Sequence, residues 1–353
     1  MVDETEAAYT LFLQNPDPEA FTYLPGQYLT LRLTINGKEY RRAFSLSSAP
    51  GLDELLAITL KRVPGGVVSN YLRDYLRPGD TLEVMRPMGH FTIDPSPDKS
   101  RHYLLMGAGS GISPLMSMIR AVLHHEPLSV VSLWYGNRNQ ADIIFRDQLT
   151  ELQKQYPSRL FLYHTLSQPE PDWKGFRGRL DGERVYDLIC DLFMTDEHRK
   201  QYFICGPQAM MDDAMAALRK HAVFPTDIFR EYFTAPPPSE EDVEKAYMQN
   251  AAQASGKNGQ EETFFHMHLL LDGQEYDLNV SSRQTILDAA IEAGIDAPYS
   301  CQAGICTTCR ARVIQGEVRM DYDEGLNDVE KDEGYILTCQ AHPQSDDVVV
   351  EFE

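Results

Sequence analysis

Three successive changes in patterning predict a multidomain chain: an antiparallel β-barrel, then an α/β domain with a parallel sheet, then a small module built around cysteines. Short alternating segments punctuated by Gly and Pro fill the chain to about residue 98, strand–helix alternation follows to about residue 234, and four of the six cysteines gather near the end. A stretch with little to pack separates the last two parts.

Within residues 1–98, Tyr28-Leu29-Thr30-Leu31-Arg32-Leu33-Thr34 runs into Asn36-Gly37, and Leu56-Ala57-Ile58-Thr59-Leu60 runs toward Pro64-Gly65-Gly66. Alternation closed by such turn residues marks antiparallel strands. One helix is predicted among them, over 69–75, ended by Arg77-Pro78-Gly79-Asp80. Residues 99–234 open on the apolar strand Tyr103-Leu104-Leu105-Met106, a glycine turn and an amphipathic helix reaching Leu123. Strands at 130–135, 160–165 and 201–205 then alternate with helices at 145–155 and 182–193. That order means a parallel sheet covered on both faces. Residues 235–262 pass from Pro236-Pro237-Pro238 into acidic and small polar residues, a composition expected of a tether with an r.m.s. span of about 30 Å. Residues 263–353 form the cysteine module.

The 353 residues carry a formal net charge of -21 and are 42% hydrophobic, which excludes wholesale disorder and collagen-like repetition. No apolar run long enough for a membrane span is visible. The opening Met1-Val2-Asp3-Glu4 lacks the apolar core of a secretory signal, so the expected compartment is the cytoplasm. The acid excess disfavours nucleic acid and anionic membranes as partners. From residue 263 onward five Lys/Arg face eighteen Asp/Glu. Such a module suits a basic docking surface on a partner protein, or is simply a solvated face.

Cys301, Cys306 and Cys309 stand as C-x4-C-x2-C, with Cys339 further along. This is the ligand spacing of a plant-type [2Fe–2S] cluster. Three thiolates on one loop can wrap one side of a small cluster, Gly304 lets the loop turn closely, and the fourth ligand arrives from elsewhere. The competing reading is structural zinc, which usually takes two short C-x-x-C arms where only one is present. Cys190, inside an apolar helix, reads as a buried core thiol.

Gly107-Ala108-Gly109-Ser110-Gly111-Ile112-Ser113-Pro114 follows an apolar strand and opens a helix. Its amides can approach a pyrophosphate at a helix N-terminus, although the third glycine comes one residue earlier than in G-x-G-x-x-G. Cys205-Gly206-Pro207 ends a later strand of the same sheet, where a nicotinamide would lie, and strengthens that reading over a buried thiol for Cys205. In the barrel, Arg42-Ala43-Phe44-Ser45 and Gly65-Gly66-Val67-Val68-Ser69 together offer a guanidinium fork, helix-start amides, a hydroxyl and a stacking ring.

With these motifs, residues 1–234 resemble the ferredoxin–NADP reductase superfamily and residues 263–353 the plant-type ferredoxins. Arg42–Ser45 matches the superfamily's R-x-Y-S motif, Gly66 through Leu72 its flavin-phosphate loop, Gly107 through Pro114 its nucleotide loop, Cys205-Gly206-Pro207 its C-G-P, and Glu231-Tyr232-Phe233 its terminal E-x-aromatic. Phe44 departs from the usual tyrosine, keeping a stacking ring and losing a hydroxyl. Relatives also carry a further strand's worth of residues before Glu4-Thr5, so either the first strand is shortened or the start is mis-assigned.

The resemblance implies a Greek-key FAD-binding barrel (1–98), an NAD(P)-binding α/β domain (99–234), a linker (235–262) and a β-grasp ferredoxin domain (263–353). It implies FAD, in preference to FMN, held by Arg42, Ala43, Phe44, Ser45, Gly66, Val67, Val68, Ser69 and Phe233. It implies NAD(P)H at Gly107, Gly109, Ser110, Gly111, Pro114, Cys205, Gly206 and Pro207. Ser45, Cys205 and Glu231 would surround a hydride transfer that needs an approach of roughly 3–3.5 Å, with Phe233 covering the flavin until nicotinamide displaces it. Electrons would continue to a [2Fe–2S] cluster on Cys301, Cys306, Cys309 and Cys339. The acceptor implied is a terminal oxygenase, a di-iron monooxygenase of the phenylacetyl-CoA epoxidase type. A desaturase, ring-hydroxylating dioxygenase or hybrid-cluster protein is the alternative acceptor, and a non-enzymatic redox sensor or carrier the alternative class. Arg138, near the end of the second α/β strand where NADH-selecting folds often carry an acid, points to pairing with the 2′-phosphate of NADPH, against a merely solvent-facing arginine.

Overall fold

The computed structural model describes residues 1–233, except 16, 18, 20, 196 and 197, and residues 263–352. The tether expected over 235–262 lies outside the described residues. The chain divides into two compact units, Met1–Phe233 and Thr234–Glu353.

The first unit begins with β1 (Val2–Thr5), β2 (Ala8–Gln14), β3 (Tyr28–Ile35), β4 (Lys38–Ser45), β5 (Leu55–Lys61), helix α1 (Val67–Tyr75) and β6 (Glu83–Val84). These make two three-stranded antiparallel sheets, ordered β1-β2-β5 and β4-β3-β6, the walls of the barrel. Asn36 and Gly37 both take positive φ, 53° and 78°, as a two-residue hairpin turn matching the twist of β3 and β4 requires. Period-2 alternation sends Leu29, Leu31, Leu33 and Ile35 inward against Tyr9, Leu11, Leu56, Ile58 and Leu60. Helix α1 plugs this interior with Val68 and Leu72, one turn apart. The Tyr9 hydroxyl donates to the Ser69 carbonyl at 2.7 Å and fixes the start of the plug. The helix starts two residues before the expected 69, because Gly66 already takes an extended N-cap conformation and Val67 can enter the first turn.

The unit continues through β7 (Arg101–Ala108), α2 (Ile112–His125), β8 (Val130–Asn137), α3 (Arg146–Gln155), β9 (Leu160–Leu166), β10 (Phe176–Arg177), α4 (Gly182–Thr195), β11 (Arg199–Cys205), α5 (Gln208–Lys220) and β12 (Ile228–Glu231). Six parallel strands lie in the order β10-β9-β8-β7-β11-β12. The winding direction reverses between β7 and β11, and such a switch point opens a crevice at the strands' carboxyl ends. Phe145, expected as the first residue of α3, instead precedes it as a buried residue with left-handed φ of 60°. Cys190, expected as a core thiol, is only half-buried, with its sulfur 3.7 Å from His221 Nε2. The neighbouring imidazole, supplied by the end of α5, draws it out of the purely apolar packing. The two halves of this unit are keyed together by α2: Ser113 donates to the Thr59 carbonyl at 3.2 Å, and Arg120 grips Asp53 through both guanidinium nitrogens.

The second unit contains β13 (Phe264–Leu271), β14 (Gln274–Ser281), α6 (Ile286–Glu292), β15 (Arg310–Gln315), β16 (Val318–Met320), α7 (Asp328–Asp332), β17 (Tyr335–Leu337), β18 (Ala341–Pro343) and β19 (Val348–Phe352). Its mixed sheet is ordered β14-β13-β19-β15-β17, with β13 and β19 parallel at the centre. Helix α6 packs Ile286, Leu287 and Ala290 onto Met267, Leu269, Val348 and Val350, a β-grasp. Thr285 caps its start, the hydroxyl accepting from the Asp288 amide at 3.1 Å.

Candidate functional site

At the switch point, parallel register aligns Gly107 of β7, Cys205 of β11 and Glu231 of β12 in one row at the carboxyl edge. The chain leaves β7 through a turn over Gly109–Gly111 and enters α2. Gly109 has φ of 55°, and a Cβ on Gly111 would sit 2.0 Å from the Cys205 carbonyl oxygen. Only glycine permits this turn to close onto Cys205 and Gly206. The Tyr135 hydroxyl donates to the Gly109 carbonyl at 2.9 Å and holds the turn in place. Ser110 is half-buried on its rim, and Pro114 occupies the first turn of α2, where its missing N–H costs nothing.

Ser45, at the end of β4, donates to Glu231 Oε2 at 3.0 Å, bringing barrel and parallel sheet together across 186 residues of sequence. Burial pushes the Glu231 carboxyl up to about 8, opposed by the Ser45 hydrogen bond. Cys205 is fully buried, and burial with the adjacent Glu231 raises its thiol well above the ordinary range. At neutral pH this row therefore holds a neutral thiol and a protonated carboxyl. That suits proton handling and close contact with an uncharged ring, not thiolate nucleophilic chemistry.

Three helical starts lie without a side-chain cap. Helix α1 follows Gly66, the turn over Gly109–Gly111 that runs on into α2 follows Ala108, its carbonyls accepting the Ile112 amide, and α5 follows Pro207; none has an acid in its first turn. Unclaimed N–H groups with the helix dipole behind them form anion sites. A Cβ on Gly66 would lie 3.0 Å from the Val63 carbonyl oxygen and 3.1 Å from Ser69 Oγ, so the glycine keeps the cradle before α1 open. Val67 is exposed and Val68 is buried, while Ser69 Oγ accepts from the Val63 amide at 3.3 Å. At the nucleotide side, Asn137 Nδ2 and Gln208 Oε1 are buried without a partner, one at the end of β8 and the other at the start of α5. Such atoms are costly unless a ligand pairs them. The residues present thus fit a flavin pyrophosphate at α1 and a pyridine nucleotide between α2 and α5.

Other expected residues sit farther out. Arg42 is exposed, donating to the Arg41 carbonyl at 2.7 Å and lying 5.9 Å from the Tyr40 ring. Ala43 and Phe44 are half-buried, and Phe233 is exposed. Arg138 is exposed and pairs with Asp142 at 3.5 Å. Sequence reasoning passed over Tyr135, Asn137, Gln208 and Lys61, whose ammonium lies 3.8 Å from where a Gly109 Cβ would be. The clue for Asn137 was its place one residue before the selected Arg138.

In the second unit, the loop from Cys301 to Cys309 coils through positive φ at Gln302, Gly304 and Thr307. A Cβ on Gly304 would meet Tyr322 Cδ1 at 2.8 Å and Gln340 Cγ at 3.0 Å. Donors converge on sulfur: the Ala303 amide on Cys301 at 3.3 Å, the Cys301 amide on Cys306 at 3.4 Å, and Gln340 Nε2 on Cys339 at 3.9 Å. The thiols associate two by two, Cys301 with Cys306 and Cys309 with Cys339. Hydrogen bonding from Cys306 draws Cys301 down to about 6. None of the six cysteines is joined in a disulfide. A single tetrahedral zinc would draw its sulfurs to roughly 3.8 Å from one another. Among the described residues, however, sets of three or more metal-ligating atoms mutually within 4.8 Å include no cysteine. Four thiols in two pairs fit the ligand set of a [2Fe–2S] cluster.

Comparison with known proteins gives the class. Residues 3–93 match the oxidoreductase FAD-binding domain family, residues 105–216 the oxidoreductase NAD-binding domain family, and residues 269–344 the 2Fe-2S iron-sulfur cluster binding domain family. The chain belongs to the ferredoxin–NADP reductase-like oxidoreductases with a fused [2Fe–2S] ferredoxin, and its cofactors are FAD, NAD(P)H and a [2Fe–2S] cluster. It is 37% identical to a component of the 1,2-phenylacetyl-CoA epoxidase of Escherichia coli (strain K12), over 99% of this chain and 95% of that one. It is 33% identical to the 3-ketosteroid-9-alpha-monooxygenase ferredoxin reductase component of Rhodococcus rhodochrous, over 100% and 95% of the two chains. The solved structure of phthalate dioxygenase reductase matches in fold with a TM-score of 0.57 at 23% identity, covering 99% of this chain and 95% of that one.

Proposed function

We propose that this protein is the reductase component of a multicomponent oxygenase, drawing electrons from NAD(P)H and delivering them through FAD and the [2Fe–2S] cluster to a terminal oxygenase. Its acceptor is the di-iron monooxygenase of a phenylacetyl-CoA epoxidase-type system. The carrying observation is the row Gly107–Cys205–Glu231, with Ser45 brought to Glu231 at 3.0 Å, in a chain 37% identical over nearly its whole length to a phenylacetyl-CoA epoxidase component.

When bound, FAD would supply hydride acceptance and the cluster one-electron transfer. Residues of this chain supply the rest. Gly66, Val67, Val68 and Ser69 would hold the flavin phosphates through helix-start amides, with Arg42 as counter-charge, and Ala43 and Phe44 would line the flavin site. Gly107, Gly109, Ser110, Gly111, Pro114, Gly206 and Pro207 seat the nucleotide. Ser45 holds Glu231, whose carboxyl keeps its proton at neutral pH; Cys205 packs beside it, and Phe233 covers the flavin. Cys301, Cys306, Cys309 and Cys339 bind the cluster. Functional boundaries fall at 98/99, 234/235 and 262/263. Arg138 favours NADPH once the 2′-phosphate competes with Asp142 for its guanidinium. The acidity of residues 263–353 suits a basic surface on the oxygenase, and an unbridged set of six cysteines suits the cytoplasm. A redox sensor would have no use for the Ser45–Glu231 pair.

The test is reconstitution. With NADPH, the protein should support turnover of a purified phenylacetyl-CoA epoxidase oxygenase, with a lower kcat/KM for NADH. The 33% identity to a 3-ketosteroid monooxygenase reductase makes a steroid-hydroxylating oxygenase the second acceptor to assay. Faster coupling to that oxygenase would overturn the epoxidase assignment and leave the reductase class intact.

A further inference from the structure

The outer face of the second unit's sheet carries a cluster of donor atoms that the electron-transfer reading does not use. His266 and His268 lie two residues apart on β13, so both point away from the face on which Met267 and Leu269 are fully buried. Their rings are 4.8 Å apart and nearly perpendicular. Strands on both flanks add carboxylates. Asp277 of β14 stands directly opposite His268 in register, with Glu275 on the same face one pleat away. On the other side, the Asp347 amide donates to the His266 carbonyl at 2.8 Å, placing its side chain 3.4 Å from His266 Nδ1.

Two sets of ligand atoms, each within 4.8 Å of one another, share His268: His266, His268 and Asp347, and His268, Glu275 and Asp277. His268 Nδ1 is enclosed, with Asp277 Oδ1 at 2.8 Å and Glu275 Oε1 at 3.0 Å, yet it makes a properly directed hydrogen bond to neither. Two imidazoles and several carboxylate oxygens are the donor set of a borderline divalent ion, and imidazole selects zinc, copper or nickel over calcium and magnesium.

We infer that this face binds one divalent transition-metal ion, zinc being the best match, through His266, His268 and Asp347. Glu275 and Asp277 place two further carboxylates against the shared histidine, at 3.0 and 2.8 Å from its Nδ1, and add to the negative field that draws a cation to this face. Ligands drawn from β13 and the turn leading into β19, supported from β14, would tie three neighbouring strands together, so the ion would also stabilise the sheet by mass action. This site is separate from the cysteines and does not depend on which oxygenase accepts the electrons.

The experiment is equilibrium dialysis of the full-length protein, with flavin and cluster loaded, against micromolar zinc chloride, counting zinc and iron per chain by mass spectrometry. The parent should take up one zinc while its iron content and visible cluster bands stay unchanged. His266→Ala/His268→Ala should weaken uptake more than about tenfold, since even groups outside the ligand set are worth 10–100-fold. Asp347→Asn, a milder change, should weaken it too and guards against misfolding of the double variant. If the parent binds no zinc beyond displaced iron, or if both variants bind zinc as the parent does, the site does not exist.

Discussion

The two units build their binding sites from opposite materials. In the first, the sites are backbone: glycines that let the chain close on itself, and helical starts (α1, the turn over Gly109–Gly111 leading into α2, and α5) that carry no side-chain cap. In the second, the site is four thiols, and the helices are capped. Thr285 closes α6, and Asn327 and Glu330 close α7 with a reciprocal capping box at 2.9 Å each way. A cap and an anionic ligand compete for the same N–H groups, so a helix that must receive a phosphate forgoes the cap's roughly 0.5–2 kcal/mol. Even α3, uncapped but away from the switch-point row, has Asp147 in its first turn, whereas the three site helices have no acid there.

Placing a carboxylate where the ligand's phosphate belongs would break this contrast most sharply. Gly66→Asp puts a charge at the start of α1, where repulsion of a phosphate about 4 Å away amounts to about 1–4 kcal/mol. Flavin affinity should fall about five- to several-hundred-fold, measured by fluorescence titration of the flavin-stripped chain, and Gly66→Ala, which brings the same Cβ crowding against Val63 and Ser69 without the charge, should lose less. Unaltered flavin affinity would mean that α1 does not hold the phosphates.

A smaller effect concerns pH. Because the folded Glu231 carboxyl titrates near 8 and its ordinary value is 4.5, the native state binds more protons than the unfolded state between those values. Its stabilising contribution is complete below about pH 4.5 and is lost as pH rises through about 8. Both tryptophans, Trp134 and Trp173, lie in the first unit, so their fluorescence follows its unfolding alone. The urea midpoint should decline from pH 6 to pH 9, and Glu231→Gln should flatten that decline. An equal slope in the variant would reject the raised carboxyl.

The smallest effect sharpens the comparison from the other side. Asn327→Ala removes a working cap in the second unit and should cost about 1 kcal/mol there, seen as earlier bleaching of the cluster bands in urea. Flavin reduction by NAD(P)H should not change. A shift in the tryptophan transition instead would contradict the assignment of the cap's effect to the second unit.

Legibility followed the same division. The cysteine pattern could be read directly because thiolate ligands are side chains and their spacing is the site. The glycine turn was visible, but its partners were not. Tyr135 and Lys61 reach it from other strands, Asn137 and Gln208 bring unpartnered buried atoms at the end of β8 and the start of α5, and their residue types announce nothing. The Ser45–Glu231 bond spans 186 residues and entered only through resemblance, because no local pattern encodes it. Strands with full alternation were placed within two residues. The short edge strands β10 and β12 went unread, since two to four residues carry too little periodicity. Phe145 misled because an apolar residue before a helix resembles its first turn, while tertiary packing holds it in the left-handed region.

The central claim is that electrons enter at the Ser45–Cys205–Glu231 row and leave only through the cysteine loop. Stopped-flow absorbance of Cys309→Ser mixed with NAD(P)H, with and without cytochrome c, tests it most directly. Flavin bleaching should proceed at the parent rate, the cluster bands should be absent, and cytochrome c reduction should be lost. Cytochrome c reduction at the parent rate in this variant would contradict the route through the cluster.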